Sequence, residues 1–131
     1  MKKVICLLAV VLSLFVLTAC KSGEPLVISE SDTFVVVKCQ TDKSDLTLSK
    51  YMDGLSDVFV IEDGMVVSIN GLENASDWSH VWMLYTDDSE LSNSAWGTIE
   101  YEGKVYGSAV SGAESLIVKN GCVYIWVYQE F

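Results

Sequence analysis

The sequence contains no arginine, and its eight lysines are outnumbered by eighteen acidic residues, so the net charge is −10 at pH 7. Arginine is the side chain best suited to bind phosphate groups, and nucleic-acid binding depends on neutralising phosphates. A chain of this composition is therefore a poor nucleic-acid binder. An anionic membrane surface would also repel it, because such surfaces attract lysine and arginine.

Sequence motifs for catalysis are also missing. His80 is the only histidine, so a Ser-His-Asp triad or a hydrolytic metal site would depend on this one imidazole. No serine lies in a Gly-x-Ser-x-Gly elbow, and no glycine-rich loop has a phosphate-binding pattern. We therefore expect a protein that is not an enzyme and that uses no cofactor or metal. We interpret His80 as an exposed strand residue, with metal ligation as the alternative.

The longest apolar run, at residues 4–17, is too short for a membrane-spanning helix, which needs about 20 apolar residues. It follows Lys2 and Lys3, and a basic start before a short apolar stretch is typical of a secretory signal peptide. The run ends in Leu-Thr-Ala-Cys at residues 17–20. This motif resembles the bacterial lipobox, whose cysteine, here Cys20, receives a diacylglycerol before cleavage. A plain signal peptide that happens to contain Cys20 is the alternative.

These features predict three segments. Residues 1–19 are expected to be a cleaved lipoprotein signal peptide, residues 20–32 the lipidated N-terminus and a tether, and residues 33–131 one domain. Cleavage removes two lysines and no acid, which takes the net charge from −10 to −12. Attachment to the lipid bilayer would therefore depend on two or more acyl chains on Cys20, such as palmitate, because one chain binds only marginally. The expected location is the extracytoplasmic side of a bacterial membrane.

Two cysteines, Cys39 and Cys122, remain in the expected domain. Outside the cytoplasm such a pair favours a disulfide. A loop of this length would gain about 4 kcal/mol of stability from the bond in the chain-entropy model. The alternative is two buried free thiols, which behave as small apolar side chains.

Hydrophobic patterning predicts an α+β domain with a mostly antiparallel sheet and several hairpins. Alternating apolar residues indicate a first strand at residues 33–40 and a last strand at residues 122–128. Asp63-Gly64 and Glu102-Gly103 each separate two strand-like segments and are typical of tight hairpin turns. A further strand is expected at residues 78–85.

One short helix is expected, because four apolar residues have the spacing of a single helical face. These residues are Leu48, Tyr51, Met52 and Leu55. Asp45 or Thr47 is the expected N-cap, and Gly54 weakens the end of the helix. We expect this helix to pack over one face of the sheet. We also expect the first and last strands to lie side by side in the middle of the sheet, a β-grasp arrangement. That arrangement would bring Cys39 close to Cys122.

Several segments occur in an order that resembles a family of domains of unknown function. The domains of that family are similar to the C-terminal domain of transcobalamin and intrinsic factor. The segments are residues 66–71, 82–85 and 112–121 and the closing aromatic strand, and the resemblance covers roughly residues 33–131. It implies a β-grasp-like domain, often found on bacterial lipoproteins, that contacts a corrinoid such as cobalamin. It also implies that Trp82 lies on the ligand-side strand and that Val110 and Gly112 belong to a loop facing the ligand.

Four tryptophans and six tyrosines supply most of the surface suited to recognition. An aromatic face stacks on a flat macrocycle or on a sugar ring, and an exposed aromatic patch usually marks an interaction site. The alternative is that most of these rings fill the core. The predicted ligand-binding residues are Trp78, Trp82, Tyr85, Trp96, Tyr106, Val110 and Gly112.

The sequence therefore predicts a membrane-anchored, non-catalytic module that captures a small extracytoplasmic ligand and passes it to a membrane transporter. A corrinoid is the candidate ligand. The alternative is a cell-surface domain that uses the same aromatic face to bind a protein or a glycan.

Overall fold

The computed structural model describes residues 25–41 and 43–130. The predicted signal peptide and Cys20 lie outside the described residues. Within the described ranges, no helix is both long enough and apolar enough to cross a bilayer.

The described chain is mostly β-strand, with one short helix. That helix, α1 (Leu48–Tyr51), is followed by a 3₁₀ turn at Asp53–Leu55. The strands are β1 (Leu26–Ser31), β2 (Phe34–Lys38), β3 (Phe59–Glu62), β4 (Met65–Ile69), β5 (Leu72–Glu73), β6 (His80–Thr86), β7 (Ser92–Tyr101), β8 (Lys104–Ala109) and β9 (Val123–Glu130). The prediction of a mostly antiparallel sheet with hairpins and one short helix is confirmed.

Six strands form a large antiparallel sheet in the order β1-β2-β9-β6-β8-β7. The predicted first and last strands, β2 and β9, are neighbours within it. Val35 lies opposite Trp126 and Val36 lies opposite Ile125. Because successive side chains point to opposite faces, these two pairs belong to different faces of the sheet.

A small three-stranded sheet, β3-β4-β5, is built from two consecutive tight turns. Asp63 and Gly64, between β3 and β4, have φ of 51° and 77°, and Asn70 and Gly71, between β4 and β5, have φ of 51° and 82°. Two successive residues with positive φ are what a type I′ hairpin turn requires. The predicted hairpin at Asp63-Gly64 is therefore confirmed.

Helix α1 is shorter than the apolar spacing predicts. The Thr47 side chain accepts a hydrogen bond from the Lys50 N–H at 3.4 Å and caps its start. Regular α-helix ends after Tyr51, and the 3₁₀ turn contains Gly54, whose low helix propensity disfavours another α-turn. The helix still buries its apolar face, including Leu48 and Met52.

The main hydrophobic core lies between one face of the large sheet and a layer formed by the small sheet, α1 and the segment at residues 113–118. Phe59 of β3, for example, lies with its ring centroid 6.3 Å from that of Trp126 in β9. The largest contributors to this core include Val35, Val37, Leu48, Met52, Phe59, Ile69, Leu84, Leu116, Tyr124 and Trp126.

The opposite face of the large sheet carries a second cluster, formed by Val36, Tyr85, Tyr106 and Ile125. This face is covered because the sheet curls. Phe34 of β2 and Tyr101 of β7 have ring centroids 5.5 Å apart, although three strands separate β2 from β7 in the sheet. Sheet twist accumulates over many strands, which allows such curling.

The large sheet begins at Leu26, inside the segment that we expected to be a tether up to residue 32. β1 pairs with β2 along most of its length and forms one edge of the sheet. Most of its side chains are exposed. Because only Val27 and Ile28 pack against the cores, β1 lacks the sustained alternation that reveals a strand in sequence.

Candidate functional site

A gap in the large sheet beside β6 creates a candidate site. β6 pairs with β8 only at Tyr85 and Thr86, whereas it pairs with β9 along its whole length. Toward the start of β6, the Trp82 N–H donates instead to the Asn74 side-chain oxygen at 2.8 Å. Because β8 ends at Ala109 and the chain turns away, a space is left between β6 and the loop that follows β8.

We call this space the β4–β6 groove, and its volume is about 170 Å³. Both β4 of the small sheet and β9 of the large sheet contribute residues to its lining. The lining residues are Met65, Val66, Trp82, Met83, Leu84, Ser108, Ala109, Ser111, Gly112, Ala113 and Trp126.

Trp82 forms a fixed wall of the groove. Its indole N–H donates to the Leu72 carbonyl at 2.8 Å, and its ring centroid lies 5.2 Å from that of Tyr128. Only 6% of the residue is exposed. With its ring packed and its donor satisfied, Trp82 offers a ligand mainly an apolar surface.

Trp126 differs from Trp82 in one respect. Its indole Nε1–H is buried, yet it has no hydrogen-bond partner, the one such side-chain nitrogen or oxygen among the described residues. Leaving a buried donor unsatisfied costs about 1–3 kcal/mol. Trp126 is 3% exposed and lines the groove. Trp126 therefore contributes to the lining of the groove, while its indole nitrogen is buried away from solvent.

No charged side chain lines the β4–β6 groove. The polar side chains in its lining are the hydroxyls of Ser108 and Ser111. Ligand sites are typically concave and mostly apolar, with a few polar groups that fix orientation. The groove has this character, and it suits a small neutral molecule.

The structure brings some of the predicted site residues together and separates others. Trp82 and Gly112 both line the groove, and Val110 is exposed on the same loop as Gly112. Tyr85 and Tyr106 are buried in the second cluster, on the opposite face of the large sheet. These two tyrosines are therefore core residues, as the alternative interpretation expected.

Trp78 and Trp96 are the exposed tryptophans, at 58% and 65%. Trp78 has a φ of 63° and precedes β6, so the predicted strand begins two residues later, at His80. It borders a second groove of about 310 Å³, lined in part by Val60, Glu62 and Glu73; we call this the Trp78 groove. Trp96 lines neither groove, so the predicted aromatics do not form one continuous site.

A third and wider groove, of about 470 Å³, contains none of the predicted site residues. Lys43 and Lys119 line it together with Asp88 and Glu90, so its charges are mixed. Asp88 is 5% exposed and accepts a hydrogen bond from the Glu90 N–H at 3.0 Å. These contacts are typical of a loop whose polar groups hydrogen-bond to one another, and the groove does not suggest a particular ligand.

Cys39 directly follows β2, Cys122 directly precedes β9, and the two lie opposite each other. The Cys39 N–H donates to the Cys122 carbonyl at 3.0 Å, and the Gly121 N–H donates to the Cys39 carbonyl at 3.1 Å. With Gly121 at φ 85°, this is the pattern of a G1 β-bulge. Both cysteines are free thiols in the structure, so the disulfide stays a prediction.

Burial raises the pKa of both thiols. For Cys39 the effect of burial exceeds the opposing effect of a hydrogen bond with Tyr51. For Cys122, burial followed by the nearby carboxylates of Asp87 and Asp88 raises the pKa to about 11. Since the thiolate is the nucleophile, neither cysteine has the environment of a reactive catalytic thiol.

His80 packs against an aromatic ring. Its centroid lies 5.8 Å from that of Tyr128, and Ser79 Oγ is 3.1 Å from its Nδ1. Among the residues that the structure describes, no group of three or more His, Cys, Asp or Glu side chains is placed to hold a metal ion. The surroundings of His80 therefore match those of a half-buried strand residue.

Sequence reasoning missed Trp126 as a site residue. Its alternation with Ile125 and Val127 predicted a strand position and nothing more. The unpaired state of its indole N–H depends on which groups other strands bring close, and no local sequence signal records that.

No known protein family, curated protein or solved structure matches this chain. The resemblance to the transcobalamin-like domain therefore stays a prediction, and the candidate site is interpreted from its geometry.

Proposed function

We propose that the protein is a membrane-anchored extracytoplasmic lipoprotein whose domain binds a small ligand in the β4–β6 groove. The supporting observation is the gap beside β6, which brings Trp82 and Gly112 together around a mostly apolar cavity of about 170 Å³. We further propose that the domain is a non-catalytic receptor of the transcobalamin-like, β-grasp-like type. The adjacency of β2 and β9, with α1 packed on the sheet, supports that assignment.

The proposed anchor keeps this domain near the bilayer. Only residues 21–25 separate Cys20 from the start of β1 at Leu26. At about 3.3 Å per extended residue, this tether reaches about 20 Å. Such a short connection favours handing the ligand to a membrane transporter in the same membrane, which we include in the proposal.

The size of the groove limits how a corrinoid would bind. An engineered apolar cavity of about 150 Å³ binds benzene, so a cavity of this size takes a group of about that bulk. A corrinoid would therefore insert a peripheral substituent, and its macrocycle would stay outside the groove. A smaller molecule would enter completely.

Tryptophan fluorescence of a simplified variant tests this proposal. Changing Trp78 and Trp96, both exposed, to Phe leaves Trp82 and Trp126, which line the groove. Titration of this variant with cobalamin, and separately with acetophenone as a small aromatic probe, is expected to change the remaining emission. No saturable change with either probe at millimolar concentration would count against a binding function for this groove.

Two substitutions provide a matched control. Ser111→Phe adds a ring to the groove lining, whereas Val105→Phe adds one at an exposed position of β8 outside that lining. Ser111→Phe is expected to abolish the saturable change and Val105→Phe to preserve it. Light absorbed by the probe affects both variants equally, so their difference reports binding. Equal responses would exclude the groove as the site.

A second candidate function, binding of a cell-surface protein or glycan, is favoured by the backbone of Trp78. A φ of 63° is unusual for a bulky residue, and strained residues cluster at functional sites. The turn is held by the Asp77 carboxylate, which accepts hydrogen bonds from the Ser79 hydroxyl at 2.7 Å and the Ser79 N–H at 3.1 Å. Trp78 lines the Trp78 groove together with the acidic residues Glu62 and Glu73.

Glycan-array and pull-down experiments separate this candidate from the first. Trp78→Ala is expected to abolish such binding, and Trp96→Ala, which removes an equally exposed ring elsewhere, to leave it intact. Binding that survives Trp78→Ala would exclude the Trp78 groove.

A further inference from the structure

The Trp78 groove lies on the outer face of the small sheet, away from the main core. On β3, Val60 and Glu62 alternate with residues that pack into that core, so their side chains point to the outer face. Val60 lies opposite Ser68 of β4, and Ser68 lies opposite Glu73 of β5. Because residues directly opposite each other share a face, Glu62 and Glu73 both stand on the outer face of the sheet.

The groove has two acidic side chains in its lining and no basic one. Glu62 and Glu73 line it, no lysine does, and the chain contains no arginine. Among the described residues, the one ion pair joins Lys104 and Asp87, so neither glutamate has a cationic partner there. The charge of the lining therefore complements a cation.

The spacing of the two glutamates favours an organic cation over a metal ion. β4 lies between β3 and β5, so Glu62 and Glu73 stand on strands about 10 Å apart. A calcium ion needs six or more oxygen ligands at about 2.3–2.6 Å. In the part of the chain that the structure describes, no group of three or more His, Cys, Asp or Glu side chains is placed to hold a metal ion. An organic ammonium group needs no such shell of converging ligands.

Trp78 adds an aromatic ring to the same groove. It is 58% exposed, and tryptophan is the side chain whose ring face attracts an ammonium group most strongly. Val60 and Val67 also line the groove and supply apolar contact for alkyl groups. An aromatic ring, apolar contacts and nearby negative charge together match an alkylated ammonium group.

The other polar groups of the lining offer a ligand little else. The Asn74 side-chain oxygen accepts from the Trp82 N–H at 2.8 Å, and its nitrogen donates to the Val66 carbonyl at 3.3 Å. Ser68 is buried. The Ser76 hydroxyl and the two carboxylates remain. The volume of about 310 Å³ is at the lower end of the range for small-molecule sites, which favours a free small molecule.

We propose that the Trp78 groove binds a small organic cation, an amine or a quaternary ammonium compound. Its ammonium group lies against the Trp78 ring, and the carboxylates of Glu62 and Glu73 balance its charge. This inference goes beyond both functions proposed above, because neither of them assigns a charged small molecule to this groove.

Choline and 3,3-dimethyl-1-butanol test the role of charge, because the two molecules have nearly the same shape and only choline is a cation. Nitrogen–proton correlation NMR follows the Trp78 indole signal, which is assigned by its loss in Trp78→Phe. Choline is expected to shift this signal saturably and to bind about 3- to 30-fold more tightly than the alcohol, the combined range of an exposed cation–π contact and an exposed ion pair. Added sodium chloride is expected to weaken the binding of choline and not that of the alcohol.

Substitutions separate the carboxylates from the ring. The double variant Glu62→Gln and Glu73→Gln is expected to lose most of the preference for choline over the alcohol. Glu100→Gln, at an exposed position of β7 outside the groove, is the matched control and should keep that preference. Trp78→Leu keeps an apolar side chain without a ring and is expected to weaken choline binding about 2- to 5-fold. Trp96→Leu, at the other exposed tryptophan, should have no effect.

Three results would overturn the inference. These are equal affinity for choline and the alcohol, an unchanged preference in the double glutamine variant, and a Trp96 indole signal that choline shifts as much as that of Trp78. The positions changed are all exposed, so the variants are expected to fold. Failure of this inference is also distinct from failure of the functions proposed above. If choline does not bind while a protein or glycan still binds through Trp78, the second candidate function stands and only the cation assignment is wrong.

Discussion

The hydroxyl of Tyr101 donates a hydrogen bond of 2.6 Å to the carboxylate of Glu30, and this bond joins the two edge strands of the large sheet. β1 and β7 stand at opposite ends of the strand order, so they meet only because the sheet curls. The same hydrogen bond is the main cause of the raised pKa of Tyr101. The second cluster is thus enclosed by its own sheet.

This hydrogen bond between the two edge strands is expected to contribute modestly to stability. Tyr101→Phe is expected to lower the free energy of unfolding by less than about 1 kcal/mol, because the bond is exposed to solvent. Glu30→Gln should have a similar effect, and the double variant should lose less than the sum of the two. Tyr101→Ala should lose more, since it also removes ring contacts with Phe34 and Tyr106. Urea unfolding of the four variants checks this, and equal losses for Tyr101→Phe and Tyr101→Ala would contradict it.

A substitution in the turn between β3 and β4 is expected to cause a larger loss of stability. Gly64 has a φ of 77°, and an added Cβ would lie 2.7 Å from the Cβ of Glu114. Gly71, in the next turn, has a φ of 82° and no atom within 4 Å of an added Cβ. Changing either glycine to alanine should lower the free energy of unfolding by about 1–2 kcal/mol, because alanine disfavours the left-handed backbone conformation.

Gly64→Ala is therefore expected to cost more than its matched control, Gly71→Ala, by about 1–3 kcal/mol of overpacking. Chemical denaturation of both variants measures the difference. A cost for Gly71→Ala equal to that for Gly64→Ala would show that the contact with Glu114 relaxes freely. Because Glu114 and Gly112 both approach Gly64, the turn also supports the loop that borders the β4–β6 groove.

The buried tyrosine Tyr124 predicts how stability depends on pH. Burial raises its pKa, although its hydroxyl oxygen accepts a hydrogen bond from the Lys119 N–H at 2.9 Å. The folded state therefore holds the phenol proton more tightly than the unfolded state. The stability from this difference is complete below the ordinary tyrosine pKa of about 10 and is lost as pH rises above it.

The free energy of unfolding should accordingly fall as pH rises from about 9 to 11, with a shallower fall in Tyr124→Phe. That variant should also be less stable at neutral pH, by about 1 kcal/mol, because it lacks the bond with Lys119. Urea unfolding across this pH range measures both effects. An equally steep fall in Tyr124→Phe would show that the remaining raised groups, Tyr101 and Cys122 among them, control the alkaline limit.

Local turn chemistry made the hairpins predictable. Asp63-Gly64 and Glu102-Gly103 each place two residues at positive φ, and both sit between paired strands as expected. The alternation that ends in Tyr128 likewise predicted β9. These elements depend on a few neighbouring residues, which the sequence shows directly.

The candidate site depended on longer-range relationships. Trp82 and Gly112 were named from a family resemblance, whereas Trp126 was missed, because its importance arises from the divergence of β8 from β6. Tyr85 looked equally suited to ligand binding in sequence, yet it packs in the second cluster and donates to the Gln129 side-chain oxygen at 2.6 Å. Which face of a strand is covered was decided by the curl of the sheet, and no local pattern encodes that curl.

The opposition of Cys39 and Cys122 predicts that reductant destabilises the protein if it is exported as proposed. If the exported protein carries the disulfide, the bond closes a loop that the chain-entropy model values at about 4 kcal/mol. Dithiothreitol should then lower the urea midpoint of the natural chain and leave that of Cys122→Ser unchanged. Because burial raises the pKa of both thiols, the folded reduced protein should oxidise slowly, and the bond should form before the bulge at Gly121 packs. Mass spectrometry of unreduced protein from exporting cells provides the direct measurement, and two alkylatable thiols in that material would show that the cysteines serve only as core residues.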